Sequence, residues 1–155
     1  MFFPDKGLAF AEARRVLRPH GQFIFNVWDR VEVNEFTETV LQAVQPLLRE
    51  DQVPFLRRIP HGYCDVSVIR DDLARGGFTG PLTVTTVTAR SRADTPHLPA
   101  MALCQGTPMR SELVERGPDA LQTATEWAGV AMATRFGTGG VDGHLQALVV
   151  LAESG

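Results

Sequence analysis

Apolar residues recur at helical spacing from the start of the chain. Leu8, Phe10, Ala13, Val16 and Leu17 share the segment from Lys6 to Arg18, with Asp5 in front of it as N-cap. Pro19 and Gly21 stop that helix. The run Gln22 to Trp28 (Gln-Phe-Ile-Phe-Asn-Val-Trp) is then apolar at both parities. That pattern predicts a strand covered by helices on both sides of a sheet, not one with a wet face. Helix, tight Pro-His-Gly turn and buried strand make the α-to-β half of an α/β unit.

A second helix is predicted from Asn34 to Leu48, with Phe36, Val40, Leu41, Val44 and Leu47 on its inner stripe and Pro46 near its end. Arg49 to Gly62 holds Pro54 and Pro60 and reads as an irregular connection. Asp65 or Ser67 caps a short helix carrying Ile69 and Leu73, which ends at Gly76-Gly77 before Phe78 re-enters the core. Leu82 to Thr88 is β-branched and alternating, so a strand is expected. Thr95-Pro96 and Thr107-Pro108 each pair a capping residue with proline at a first helical position. A longer helix from Asp119 to Arg135 turns Leu121, Ala124, Ala128, Ala131 and Met132 inward and breaks at Gly137, Gly139 and Gly140. The last strand is His144 to Ala152. With no repeat, low-complexity stretch or linker, residues 1–155 are expected to form a single domain.

Composition narrows the function classes. A 44% hydrophobic and 21% charged chain of 155 residues is that of a globular protein able to bury a core. The net charge of -3, without a run of either sign, argues against nucleic acid. No stretch approaches the ~18 apolar residues of a membrane helix. No basic flank or cleavage site marks a signal peptide. Cys64 and Cys104 have the spacing of neither a zinc pair nor a redox motif, so reduced thiols and a cytoplasmic location are expected. His20, His61, His97 and His144 show no metal-ligand spacing, so no metal is expected.

Three blocks in order carry a resemblance: Phe2-Phe3-Pro4-Asp5, then Glu12-Ala13-Arg14-Arg15-Val16-Leu17-Arg18-Pro19, then Gln22-Phe23-Ile24-Phe25-Asn26-Val27-Trp28-Asp29. They resemble the region after the fourth strand of class I S-adenosylmethionine-dependent methyltransferases of the ubiquinone/menaquinone-biosynthesis-like (type 11) group. Ile69, Leu73, Gly77-Phe78 and the β-branched run after them look like the helix before the sixth strand and that strand itself. Ala102 to Pro108 and the closing strand look like the substrate-side insertion and the antiparallel seventh strand. The resemblance implies an α/β fold: a partial Rossmann-like sheet of about three strands, the last antiparallel, with a helical insertion over residues 91–136 as substrate-side lid. In family terms the strands are the fifth, seventh and sixth. The motifs that bind the donor in the family would precede Met1, so the chain corresponds to a C-terminal, acceptor-side half, inactive alone. His20 stands where the family has glycine, which implies a modest local cost.

What the resemblance implies about residues is specific. Phe2 and Phe3 resemble residues lining the pocket of the cofactor, S-adenosylmethionine; core packing or an oligomer contact is the alternative. Ligands of open α/β sheets sit beyond the carboxyl ends of the strands, which puts Trp28, Asp29 and Arg30 at the rim of the expected crevice, with Trp28 and Asp29 as acceptor-site candidates; Asp29 serves equally as a turn cap. His61 and Tyr63 lie in a Pro/Gly-rich connection, where a base near neutrality suits removing a proton from a methyl acceptor, and a surface histidine is the alternative. Gln105, beside Cys104, lies in the lid-like insertion or simply at a polar helix end. Asn26 is unusual in a strand and, if buried, needs hydrogen-bond partners. Gly137-Thr138-Gly139-Gly140 follows a helix and precedes a strand, the reverse of a cofactor loop. Removing the fourth strand leaves the fifth with a bare edge, so a homo-oligomer or a partner chain completing the sheet is expected. Two functions follow: methyl transfer to a small-molecule acceptor, or a non-catalytic binding or dimerisation module derived from such an enzyme.

Overall fold

The Asp5 carboxylate accepts the Leu8 amide at 3.0 Å and opens helix α1, Lys6–Val16. The chain then reverses at Pro19–Gly21, where His20 adopts a left-handed φ of 60° and the Gly21 amide closes onto the Arg18 carbonyl at 2.8 Å. Strand β1 follows over Gln22–Trp28. The structure, a computed structural model, describes residues 2–155.

A 3-10 turn at Val31–Val33 leads into α2, Glu35–Val44, and a second at Gln45–Leu47 ends it. The expected helix to Leu48 is thus cut at Pro46, which has no amide hydrogen to continue the ladder. The connection expected to be irregular contains one helical turn, α3, Phe55–Arg58, whose first amide is held by the Glu112 carboxylate at 3.0 Å. Helix α4, Val66–Arg75, is capped by Asp65, which accepts the Ser67 amide at 2.8 Å. It closes through Gly77 at φ 84°, with the Phe78 amide on the Leu73 carbonyl at 3.0 Å. Strand β2, Leu82–Ala93, runs well past Thr88. Helices α5 (His97–Gln105) and α6 (Met109–Val114) follow the two Thr-Pro pairs, and Thr107 Oγ1 accepts the Met109 amide at 3.2 Å. Helix α7, Ala120–Phe136, ends at Gly137, φ 97°, and strand β3 is Val141–Glu153.

The fold is mixed α/β, with one three-stranded antiparallel sheet in the order β1-β3-β2. The β1–β3 register runs from Gln22 opposite Glu153 to Trp28 opposite Ala147. No helix of the described residues is long and apolar enough to cross a membrane.

The chain divides into two compact units. One comprises the chain up to Asp29, Ile59–Val87 and Gln146–Gly155; the other comprises Arg30–Arg58 and Thr88–Leu145. In the first, Phe10, Val27, Tyr63, Ile69, Leu73, Phe78, Leu148, Val150 and Ala152 form the core. Phe10 meets Phe23 edge-on at 5.8 Å, and Phe23 stacks on Phe78 at 5.6 Å. Helices α1 and α4 approach so closely that a Cβ on Gly76 would lie 2.6 Å from Phe10 Cβ. In the second unit α7 packs on α2 and α5 through Ala124, Ala128 and Met132, all without exposed surface. Arg135 ties α7 to α2 through Glu38 at 2.7 Å, Thr39 at 3.0 Å and Glu35 at 3.3 Å.

One expectation is corrected. β1 is not covered on both faces: Gln22, Ile24 and Asn26 are exposed, Ile24 at 60%, while Phe23 and Phe25 are half-buried and Val27 is buried. The helices of this unit shield one face, and Ile24 on the open face is what made the strand look apolar at both parities. Asn26 consequently meets solvent and has no buried amide to satisfy.

The left-handed residue gives a direct test. Replacing His20 by glycine removes ~1 kcal/mol of left-handed strain and returns part of that as unfolded-chain entropy. Urea denaturation of His20→Gly is expected to show a net gain of about 0.5 kcal/mol, with no change in far-ultraviolet dichroism.

Candidate functional site

The best-defined polar cluster lies where β1 ends. The ladder continues one step past Trp28, because the Asp29 amide donates to the Gln146 carbonyl at 3.2 Å. Gln146 Nε2 donates in turn to Asp29 Oδ2 at 2.6 Å, which orients the carboxylate. His61 Nδ1 meets the Asp29 backbone carbonyl at 2.6 Å. A carbonyl oxygen only accepts, so Nδ1 carries the hydrogen and the neutral ring has its lone pair on Nε2. The Trp28 and His61 ring centroids are 6.4 Å apart. His61 is only 8% exposed, whereas Trp28 and Asp29 are half-buried. Its own loop also braces it, through the Cys64 thiol donating to the His61 carbonyl at 3.5 Å. An aromatic surface, an oriented carboxylate and an imidazole of set tautomer can bind a small polar molecule and accept a proton from it.

Tyr63 serves another purpose. Its hydroxyl donates to Asp72 Oδ2 at 2.7 Å in the interior of this unit. Arg75 forms an ion pair with the other carboxylate oxygen, and Lys6 Nζ sits 4.7 Å from the Tyr63 ring centre. Burial and the hydrogen bond to Asp72 both raise the phenol pKa, so Tyr63 stays protonated. Burial alone would raise the Asp72 carboxyl, but the Tyr63 hydroxyl and the Arg75 guanidinium outweigh it and hold it below the ordinary value. This network fixes α4 to the segment before it.

Gln105 belongs to the second unit. Its Nε2 donates to Thr125 Oγ1 at 3.0 Å, and Thr125 Oγ1 donates to the Leu121 carbonyl at 2.8 Å, so Gln105 joins the end of α5 to α7. Burial pushes the neighbouring Cys104 thiol up to about 11, against a smaller opposing hydrogen bond with Thr125, which makes it a packing group. Phe2 and Phe3 are 70% and 61% exposed, and the Phe3 carbonyl accepts Lys6 Nζ at 3.1 Å. They are therefore not core residues. Gly137–Gly140 sits at the carboxyl end of α7, where carbonyls face outward, the wrong end of a helix for a phosphate or carboxylate. The described residues contain no cluster of metal-ligating side chains.

The structure brings Trp28, Asp29 and His61 together and adds Gln146, which sequence reasoning missed. A glutamine in the apolar run Leu145-Gln146-Ala147-Leu148 was the available signal. Asp72 was missed as well, although it occupies an inward helical position between Ile69 and Leu73. No protein-family model matches the chain, and no curated protein matches it.

Two outcomes are expected here. Long-range nitrogen–proton NMR of the neutral His61 ring finds the hydrogen on Nδ1; a hydrogen on Nε2 would contradict the Asp29 contact. Tyr63→Phe removes the phenol from a buried carboxylate at a cost of about 1–2 kcal/mol. Because Asp72 is depressed in the folded state, its contribution is full above the ordinary carboxylate value near ~4. It is lost as pH falls through the lower folded value. Acid denaturation of Tyr63→Phe should therefore show a shallower pH dependence there than the parent.

Proposed function

We propose that residues 1–155 form the acceptor side of a class I S-adenosylmethionine-dependent methyltransferase, built on a partial Rossmann-like sheet. The observation that carries this reading is the strand order. The last strand, β3, runs antiparallel to β1 and lies between β1 and β2, the order expected of the fifth, seventh and sixth strands of that group. The left-handed His20 supports it too, since the corresponding turn in the group uses glycine.

In this reading Trp28, Asp29 and His61 hold a small-molecule acceptor beyond the carboxyl end of β1. The indole offers an aromatic surface, and the carboxylate held by Gln146 accepts a hydrogen bond from the acceptor. The Nε2 of His61 takes the proton that a hydroxyl or amine loses on methylation. The main contribution of the chain is positioning. In this reading the donor site comes from polypeptide outside residues 1–155, on the same chain or another.

Calorimetric titration with S-adenosylmethionine and S-adenosylhomocysteine tests the reading. Residues 1–155 alone are expected to give no saturable heat. The intact protein or assembly containing them is expected to bind both and to transfer the methyl group, with turnover lowered about 100-fold or more in His61→Gln. If the intact protein binds neither, methyl transfer is ruled out. The chain is then a non-catalytic binding or dimerisation module, a role favoured by the open face and edge of β1.

A further inference from the structure

The order β1-β3-β2 leaves β1 at one edge of the sheet. The ladder parity shows which groups face outward. Asp29 donates to Gln146 and Gly21 accepts from Ser154 at 3.0 Å, so odd-numbered residues turn their amides and carbonyls toward β3. The backbone groups of Ile24 and Asn26 therefore point away from the sheet, and among the described residues nothing bonds to them. Two further features set this edge apart. It carries no charge, proline or glycine from Gln22 to Trp28, the residues that normally block edge pairing. The other edge, β2, carries exposed Arg90 and Arg92, both bound to Asp142.

We propose that β1 pairs antiparallel with the β1 of a second copy of this chain, centred on Phe25, so that two three-stranded sheets become one. A register centred there sets Ile24 opposite the partner's Asn26. Both are even positions, so each such pair exchanges both backbone hydrogen bonds with the groups that now face outward. On the helix-covered side the same register sets Phe25 against its own copy and Phe23 against the partner's Val27. Aromatic–aromatic and aromatic–β-branched pairs are favourable across strands. Antiparallel pairing also brings Asp29 at the end of one strand to the Arg18–His20 turn of the other. The contact is isologous and closes at two copies. The pairing belongs to residues 1–155 by themselves; in the methyl-transfer reading a fourth strand from outside these residues takes the same edge and displaces it.

Sedimentation equilibrium of the 155-residue protein and two double variants tests it. The parent is expected to be a dimer in the micromolar range. Ile24→Lys with Asn26→Lys sets like charges opposite each other at both pairs and is expected to weaken the dimer roughly tenfold or more. Ile24→Glu with Asn26→Lys sets opposite charges at the same pairs and is expected to keep it. Both positions are exposed, so far-ultraviolet dichroism should stay constant. Ile24→Pro, which removes only an outward amide, should weaken the dimer without adding charge. A monomeric parent and equal behaviour of the two double variants would each overturn the proposal.

Discussion

The antiparallel ladder between β1 and β3 is the constraint on which the rest of the first unit depends. Its register sets Phe23, Phe25 and Val27 opposite Ala152, Val150 and Leu148, so both strands turn these side chains to the helix-covered face. Strand side chains alternate with period two, and a slip of one residue would send the whole set to solvent. The same register carries Asp29 to Gln146 and so builds the polar cluster at the strand's end. Core and candidate site follow from one set of backbone hydrogen bonds.

Polar side chains then fix what apolar packing leaves loose. In the first unit Tyr63, Asp72 and Arg75 hold α4. In the second, Arg135 binds Glu35 and Glu38, while Glu35 accepts the His144 amide at 2.5 Å and His144 Nδ1 meets the Val33 carbonyl at 2.8 Å. Among the described residues no buried side-chain nitrogen or oxygen lacks a hydrogen-bond partner. A network satisfied to that degree favours one arrangement of the helices, because any alternative strands a polar group away from water.

The chemistry available to the chain reflects the same economy. A backbone carbonyl sets the tautomer of His61, so its second nitrogen is defined by the fold and not by a neighbouring acid. The glycine cluster after α7 shows the limit: its residues are flexible enough for a ligand loop, but they stand at the negative end of a helix. The acceptor-binding and proton-accepting role proposed above rests on His61 and its neighbours.

Local chemistry was legible in the chain. Asp5 announced its helix, Asp65 or Ser67 the next, and Gly77 and Gly137 ended theirs, while His20, which stands where the resembled family has glycine, adopts a left-handed φ. These features depend on neighbours a few residues apart. The open face of β1 was not legible, because Ile24 has the same side chain whether or not a helix covers it. Nor was the partnership of Tyr63 with Asp72, or of Asp29 with Gln146, since each is made by residues whose proximity only packing decides. Sequence alone determined the helix caps and glycine stops, but not the length of β2 or the helical turn at Phe55–Arg58. Tertiary structure decided which side of β1 is dry and which polar residues meet, since both depend on contacts between segments distant in the chain.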